Sequence, residues 1–157
     1  MAILNIVKDG DEILRKKSKP VAAVDDKILT LLDDMKETME KAGGVGLAAV
    51  QIGKLKQVIV IDTGEESLEL INPKMIKKSG LIEECEGCLS CPGRWGITKR
   101  PTKVEVESLD REGNTVRYKA TGLLAKAICH EMDHLEGKLF YDEAVRMLTQ
   151  EEIDEMR

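Results

Sequence analysis

The segment from His130 to His134 has the residue types and the spacing of a metal-dependent hydrolase site, because it reads His-Glu-Met-Asp-His. Residues 123–129, which precede it, favour a helix, and residues four apart in a helix lie on the same face. His130 and His134 can therefore bind one metal ion, and Glu131 can act as general base towards a water molecule on that ion. An ordinary solvent-exposed helix is the alternative, but these are the only two histidines in the chain.

The third ligand is harder to identify, because a catalytic site of this kind needs three protein ligands and one open position. The chain has no third histidine, so a cysteine or a carboxylate must complete the set. Cys85, Cys88 and Cys91 follow one another at three-residue spacing, and Cys129 is the fourth cysteine. One of them can join the histidines. Alternatively, the cysteines hold an iron–sulfur cluster, which would leave the histidines without a role.

The composition indicates one globular domain that neither binds nucleic acid as its main partner nor crosses a membrane. The chain has 157 residues, which fit a single domain over 1–157, with 42% hydrophobic and 34% charged residues. A net charge of -5 argues against an extended phosphate-binding surface, and no apolar run is long enough to cross a membrane. The N-terminus has no signal or transit pattern, so we expect a cytoplasmic protein whose cysteines are ligands or buried thiols.

Hydrophobic periodicity predicts an amphipathic helix over residues 25–42, which Asp25 or Asp26 can cap. Its apolar residues recur at spacings of three and four and form one stripe: Ile28, Leu31, Leu32, Met35 and Met39. The helix that carries the histidines is expected over residues 122–136. Thr149 begins a capping box, which predicts a short C-terminal helix.

The middle of the chain predicts antiparallel strands. Residues 57–62 have the pattern of a buried strand, and residues 68–72 form a second strand that we expect Pro73 to stop. Residues 104–109 alternate strictly between apolar and polar, and the chain returns after a turn in residues 115–120, which predicts a hairpin. Helices on both sides of antiparallel strands indicate an α+β fold.

Three segments of the chain resemble peptide deformylases. They are residues 44–53 (Gly-Val-Gly-Leu-Ala-Ala-Val-Gln-Ile-Gly), residues 86–90 (Glu-Gly-Cys-Leu-Ser) and residues 130–135, in the order and spacing of that family. The resemblance extends from residues 13–15 to about Asp142. It implies an α+β fold in which antiparallel sheets pack around a central HExxH helix. It also implies a metal-dependent hydrolase that removes the formyl group from the N-terminal formylmethionine of newly synthesised polypeptides and releases formate.

The resemblance further implies the metal site and the partners. By matching position, Cys88, His130 and His134 correspond to the metal ligands. The implied ion is Fe²⁺ in the cell, which Zn²⁺, Ni²⁺ or Co²⁺ can replace. The implied partners are N-formylmethionyl nascent polypeptides, with transient proximity to the ribosome. Cys91 departs from the family, which commonly has an aliphatic residue at that position.

Catalytic roles follow from the same resemblance. Metal-bound hydroxide is expected to attack the formyl carbon, with Glu131 as general acid and base. Gln51 and the backbone N–H of Leu89 correspond to the donors that stabilise negative charge on the formyl oxygen. Gly46 corresponds to part of the edge on which the substrate docks.

Residues beside these matched positions are further candidates. Val45, Leu123 and Ala127 are expected to line an apolar pocket for the methionine side chain, with a place in the general core as the alternative for each. Glu86 and Arg100 are expected to form an ion pair that holds the loop of the metal-binding cysteine, with a solvated surface pair as the alternative.

Two other functions remain open on the sequence. A metal peptidase uses the same HExxH motif and would cleave unformylated peptides internally. A non-catalytic, metal-stabilised binding module would have a closed site with four ligands, in which Cys85 or Cys91 takes part.

Overall fold

Helix α1 covers Asp26–Ala42 and confirms the predicted N-terminal helix. In the computed structural model, which describes residues 2–156, the Asp25 side chain accepts a hydrogen bond from the Ile28 amide at 3.0 Å and caps the first turn. The helix ends at Gly43, whose φ of 70° lies in the left-handed region that glycine adopts without strain.

Eight strands follow within the described residues. They are β1 (Gly46–Ala48), β2 (Val58–Asp62), β3 (Ser67–Ser79), β4 (Ile82–Glu86), β5 (Gly96–Arg100), β6 (Lys103–Leu109), β7 (Thr115–Thr121) and β8 (Arg146–Met147). One sheet has the order β1-β2-β3-β6-β7 and a smaller one the order β4-β5-β8, with antiparallel pairing throughout. Helix α2 (Gly122–Leu135) precedes β8 and helix α3 (Gln150–Glu155) follows it. The predicted α+β fold is thus confirmed, and none of the helices in residues 2–156 is long and apolar enough to cross a membrane.

Strand β3 shows that one prediction was wrong, because the strand continues through Pro73 instead of ending at Asn72. Its pairing with β6 shifts register between Ile71 and Lys74, so Pro73 lies in an irregularity where the ladder does not need its missing N–H. Asn72 has a positive φ of 51°, and its side-chain amide bonds to the backbone N–H and C=O of Val21. The bulge therefore lets the strand pass a residue that usually ends one.

Two other local predictions are confirmed. Strands β6 and β7 form the expected hairpin, in which Leu109 pairs with Thr115 next to the turn. At the start of α3, the Thr149 hydroxyl accepts from the Glu152 amide at 3.2 Å, and the Glu152 carboxylate accepts from the Thr149 amide at 3.1 Å. This reciprocal pair is the capping box that the sequence predicts.

Helix α2 packs on one face of the large sheet, and α1 covers the other. In β2, Ile59 and Ile61 belong to the core beneath α2. Val58 and Val60 belong to the core beneath α1, because successive side chains of a strand point to opposite faces. Helix α2 contributes a row of buried apolar residues to its core: Leu124, Ala125, Ile128, Cys129 and Leu135. This packing fixes the height and the rotation of the helix that carries the histidines.

Strands β4 and β5 are not predicted by the sequence, because β4 is short and mostly exposed and has no apolar alternation. They pair from Ile82 opposite Arg100 to Glu86 opposite Gly96. The loop between them packs on a small cluster of buried residues: Leu14, Cys91, Leu139 and Phe140. The small sheet thereby holds the loop after β4 in place next to α2.

Candidate metal centre

Three potential metal ligands converge where the small sheet meets helix α2. The Cys88 sulfur lies 3.4 Å from Nε2 of His134, and the ligand atoms of Cys88, His130 and His134 all lie within 4.8 Å of one another. Both histidines are buried, and Cys88 is half-buried. Elsewhere in residues 2–156 no three such side chains come this close, so the structure brings together no cysteine-only group of the kind that an iron–sulfur cluster needs.

Two different local structures supply these ligands. Helix α2 places His130 and His134 about one turn apart, with ring centroids separated by 5.0 Å. Cys88 lies just after β4, where the chain turns through Leu89 and Ser90. The pairing of β4 with β5 positions this turn next to α2. The third candidate ligand therefore reaches the histidines only because segments that are distant in sequence pack together.

The donor set fits a divalent metal ion. One thiolate and two imidazoles are ligands that zinc and other first-row metals bind, and three of them leave a position for a reacting group. Burial lowers the pKa of His134 well below its ordinary value, so its imidazole is neutral, which is the form that binds metal. Nε2 of His134 faces Cys88, while its Nδ1 is buried without a hydrogen-bond partner among the described residues.

Glu86 is a buried carboxylate that contacts the outer side of the His130 ring through a hydrogen bond with Nδ1. It also accepts hydrogen bonds from the Thr98 hydroxyl at 2.7 Å and from Arg100 at 2.7 and 2.9 Å. Burial raises the pKa of Glu86, but the hydrogen bonds from His130 and Arg100 outweigh it and hold that pKa well below its usual range. The ionised carboxylate keeps a proton on Nδ1, which leaves Nε2 of His130 for a metal. The expected Glu86–Arg100 ion pair is confirmed, and Arg100 also binds Asp133 at 2.6 Å.

Glu131 is buried beside the ligands, with Oε2 at 4.0 Å from Nε2 of His130. Burial raises the pKa of Glu131 to about 7, which suits a group that takes and returns a proton near neutral pH. The backbone of β1 runs directly along this carboxylate, because a Cβ at Gly46 would lie 2.6 Å from Oε2. Glycine at position 46 therefore leaves the Glu131 carboxylate in its place, which a Cβ would force to shift.

Gln51 is 1% exposed and lies on a 3₁₀ turn, Ala49–Ile52, that follows β1. Its Oε1 accepts a hydrogen bond from the Ala48 amide at 2.9 Å, which fixes the orientation of the side-chain amide. Nε2 then donates to the Cys88 sulfur at 3.5 Å and to the Ser90 hydroxyl at 3.1 Å. The side chain thus presents N–H donors at a fixed position beside the ligands.

Leu89 directly follows Cys88, the candidate cysteine ligand. No backbone or side-chain acceptor within residues 2–156 takes a hydrogen bond from its amide, so this N–H can donate to a ligand at the site. Its side chain packs closely on Gly44, where a Cβ would lie 2.5 Å from Cδ1 of Leu89. This contact holds the turn after β4 against the chain that leads into β1.

A cavity of about 350 Å³ opens onto these groups. The four residues predicted to bind substrate all border it: Val45, Gly46, Leu123 and Ala127. Val45 and Leu123 are 38% and 50% exposed and form an apolar rim, whereas Ala127 is buried one turn further along α2. The catalytic candidates border the same cavity: Gln51, Leu89 and Glu131. The structure therefore places both sets of predicted residues around one space.

Some residues that border the site were not predicted from the sequence. Trp95 borders the cavity at 37% exposure, and its ring covers Gly87, where a Cβ would lie 2.6 Å from a ring carbon. Trp95 is the only tryptophan of the chain, which makes it a residue worth considering, but only the fold shows that it lies beside the site. Ser90 and Asp133 lie inside two of the motif segments, but only the structure shows that they hold Gln51 and Arg100.

Comparison with known sequences indicates one family. The sequence model described as polypeptide deformylase matches residues 3–150. The peptide deformylase of Caldicellulosiruptor bescii is 52% identical over 157 residues, which are 100% of this chain and 95% of that protein. The peptide deformylase of Acetivibrio thermocellus is also 52% identical, over 100% of this chain and 92% of its own length.

Solved structures agree in fold. A peptide deformylase from Synechococcus elongatus in complex with actinonin has a TM-score of 0.87 at 45% identity, over 90% of this chain and 80% of that one. A peptide deformylase from Legionella pneumophila has a TM-score of 0.87 at 39% identity, over 98% of this chain and 96% of that one. Because the family model spans nearly all of the sequence and full-length relatives share more than half of its residues, the chain belongs to the polypeptide deformylase family.

Proposed function

We propose that this member of a metal-dependent hydrolase family removes the formyl group from the N-terminal formylmethionine of newly synthesised polypeptides. The products are formate and a free α-amino group. One observation carries the proposal: Cys88 meets both motif histidines beside Glu131, at the wall of a cavity with an apolar rim. A formamide on an extended peptide is a substrate of the size and polarity that this cavity suits.

Cys88, His130 and His134 are the proposed metal ligands. Their clustered donor atoms and the neutral state of His134 support this assignment, as does the Glu86 carboxylate behind His130. When bound there, a divalent metal ion lowers the pKa of water towards neutrality and polarises a substrate carbonyl group. Formamide resonance makes the carbonyl carbon a poor electrophile, which is why the reaction requires such activation.

Glu131 is the proposed acid and base. Its carboxylate takes a proton as water adds to the formyl carbon, and it returns the proton to the amine nitrogen when the C–N bond breaks. Burial next to His130 and a pKa of about 7 support both halves of this role, because neither protonation state is strongly disfavoured near neutral pH.

Gln51 and the backbone N–H of Leu89 are the proposed donors to the formyl oxygen, on which negative charge develops. Such donors act most strongly when their position is fixed before the reaction begins. The hydrogen bonds of Gln51 to Ala48 and Ser90 provide this fixation for its amide. The packing of Leu89 on Gly44 provides it for the turn.

Strand β1 is the proposed docking edge for the peptide. It is an edge strand of the large sheet and, within residues 2–156, pairs only with β2, so its other edge can accept an added strand. Main-chain pairing at Gly46 tolerates many sequences, as the processing of diverse nascent chains requires. Val45, Leu123 and Ala127 are proposed to contact the methionine side chain, since they are apolar residues of the cavity wall.

We further propose that residues 1–157 form a single catalytic domain, since both sheets and α2 contribute to one site. Nascent formylated chains emerge from the ribosome, so the proposed place of action is the cytoplasm, in transient proximity to ribosomes. The proposed native ion is Fe²⁺, with Zn²⁺, Ni²⁺ and Co²⁺ as replacements that the same imidazole and thiolate donors accept.

Replacing Glu131 with Gln should lower formate release from a formyl-Met peptide by about 10²–10⁴-fold, because the proton carrier is lost. The variant should retain its metal, since no proposed ligand changes. Formate release and metal content are measured on protein purified without oxygen. Glu136→Gln, at the exposed end of the same helix, is the matched control and should keep wild-type activity. A metal-loaded wild type that releases no formate but cleaves unformylated peptides internally would instead indicate a peptidase.

Replacing Gln51 with Ala should lower kcat by about 10²–10³-fold with a smaller change in KM, because the lost donor acts mainly in the transition state. Gln57→Ala is the matched control, since that half-buried amide bonds only weakly to the Ser18 carbonyl at 3.4 Å. Metal content and thermal unfolding are measured on both variants. Unchanged kcat in a folded, metal-loaded Gln51→Ala protein would exclude the proposed donor role.

Replacing Arg100 with Ala should destabilise the fold by about 3–5 kcal/mol, because the buried Glu86 carboxylate loses its ion-pair partner and two hydrogen bonds. Metal affinity should fall by about 10–100-fold, since His130 loses its orientation. Urea unfolding and metal titration measure the two effects. Arg117→Ala removes an exposed arginine that pairs with Glu107 and should cost about 0–1 kcal/mol. Equal losses in the two variants would contradict a role of Arg100 in the site.

Purification without oxygen should yield protein that contains iron, and this iron-loaded protein should lose activity in air. Protein reloaded with Ni²⁺ or Zn²⁺ should be stable in air, because these ions are not oxidised under such conditions. Elemental analysis and timed formate assays check both points. Anaerobically purified, active protein that contains only zinc would contradict the assignment of Fe²⁺.

A further inference from the structure

Cys88 and Cys91 are the first and last residues of a tight turn. The Cys91 amide donates a hydrogen bond to the Cys88 carbonyl at 3.0 Å, with Leu89 and Ser90 between them. The Cα atoms at the ends of such a turn lie within about 7 Å of each other, and disulfides join Cα atoms about 4.4–6.8 Å apart. The backbone of this turn therefore already has the spacing that a disulfide requires.

The two side chains also lie in the same small region of the fold. Cys91 belongs to the small buried cluster with Leu14, Leu139 and Phe140, and Cys88 packs against this cluster. Both border the cavity that opens onto the metal centre. Cys91 is only 2% exposed, whereas Cys88 is half-buried, so a small reagent in the cavity reaches the Cys88 sulfur first.

The other two cysteines point elsewhere. The Cys85 sulfur contacts the Met156 sulfur at 3.9 Å, near the C-terminal helix. Cys129 is buried in the core between α2 and the large sheet. Within residues 2–156, Cys91 is therefore the thiol that the fold places next to the metal-binding sulfur.

We propose that Cys91 is a resolving cysteine, which forms a reversible disulfide with Cys88 when a hydroperoxide enters the cavity. The disulfide takes the Cys88 sulfur away from the metal, and this part of the inference rests on the proposed ligand role of Cys88. With only His130 and His134 remaining, the site loses its ion. Oxidation thus switches the site off without destroying it.

The chemistry balances with hydrogen peroxide as the only co-reactant. The Cys88 sulfur attacks the peroxide, the O–O bond breaks, and the products are a sulfenic acid and one water molecule. The Cys91 sulfur then attacks the Cys88 sulfur, an S–S bond forms, and the S–O bond breaks to release a second water molecule. The two thiols lose two electrons and two protons in total, and the peroxide gains them.

The buried second thiol changes the outcome of oxidation. A sulfenic acid without a neighbouring thiol is oxidised further to sulfinic and sulfonic acids, which thiol reductants do not reverse. A disulfide is reduced by thiol exchange and returns both cysteines. Cys91 therefore converts an irreversible loss of the metal ligand into a reversible one.

The test uses zinc-loaded protein, because Zn²⁺ has no redox chemistry and any oxidation must occur on sulfur. Wild type, Cys91→Val and the control Cys85→Ala are treated with hydrogen peroxide. Peptide mass spectrometry identifies the modified cysteines, a chromophoric chelator records zinc release, and a thiol reductant with added zinc tests recovery. Cys91→Ala replaces the valine variant if the larger side chain prevents folding.

We expect wild type and Cys85→Ala to form the Cys88–Cys91 disulfide, to release zinc in step with it, and to recover fully on reduction. The Cys91 variants should gain two or three oxygen atoms on Cys88 and should not recover. Oxygen addition to Cys88 in wild type, or a disulfide with Cys85 or Cys129, would overturn the inference. A Cys88–Cys91 disulfide that leaves zinc bound would overturn the switch and the ligand role of Cys88, whereas absence of the disulfide would leave the proposed deformylase function untouched.

Discussion

The buried carboxylate of Glu86 is the group on which the arrangement of the metal centre depends. Burying a charge costs several kcal/mol unless partners compensate, and here the partners come from two different elements. Thr98 and Arg100 bind it from β5, and His130 binds it from α2. Arg100 also holds Asp133 of α2, so the small sheet and the helix are joined twice. The contact that orients one ligand ring therefore also sets the distance to the turn that carries the cysteine ligand.

The site also depends on two glycines at which neighbouring segments of the chain come close together. Strand β1 lies so near α2 that a Cβ at position 46 would displace the Glu131 carboxylate. Gly44 similarly accommodates the Leu89 side chain. The large sheet can come this close because two cores hold it, one under each helix. The proposed docking edge, the proposed proton carrier and the proposed oxyanion donors thus share one small space, because glycines lie where the neighbouring segments come close.

The close packing around the site also affects how the Cys88 sulfur can be oxidised. A thiolate that binds a metal and faces a cavity is also the group that small oxidants reach first. The turn after β4 places the Leu89 N–H, a proposed oxyanion donor, next to the proposed ligand Cys88, and it also brings the buried thiol of Cys91. The proposed metal binding, the proposed oxyanion stabilisation and the inferred protection against oxidation therefore all involve the four consecutive residues Cys88–Cys91.

Local patterns made much of this protein predictable. The HExxH pair, the apolar stripe of α1, the β6–β7 hairpin and the final capping box each depend on residues a few positions apart, which the sequence displays directly. Family resemblance, which rests on motifs in order, pointed to Cys88, although the spacing alone left three cysteines equivalent. No local pattern of this kind indicated strands β4 and β5. None indicated that β3 continues through Pro73. Tertiary packing decided these points, because Cys88 and His134 are 46 residues apart and meet only through strand register and the Glu86 contacts. Residue types and local spacing are properties of the sequence, but which distant residues touch is a property of the folded chain.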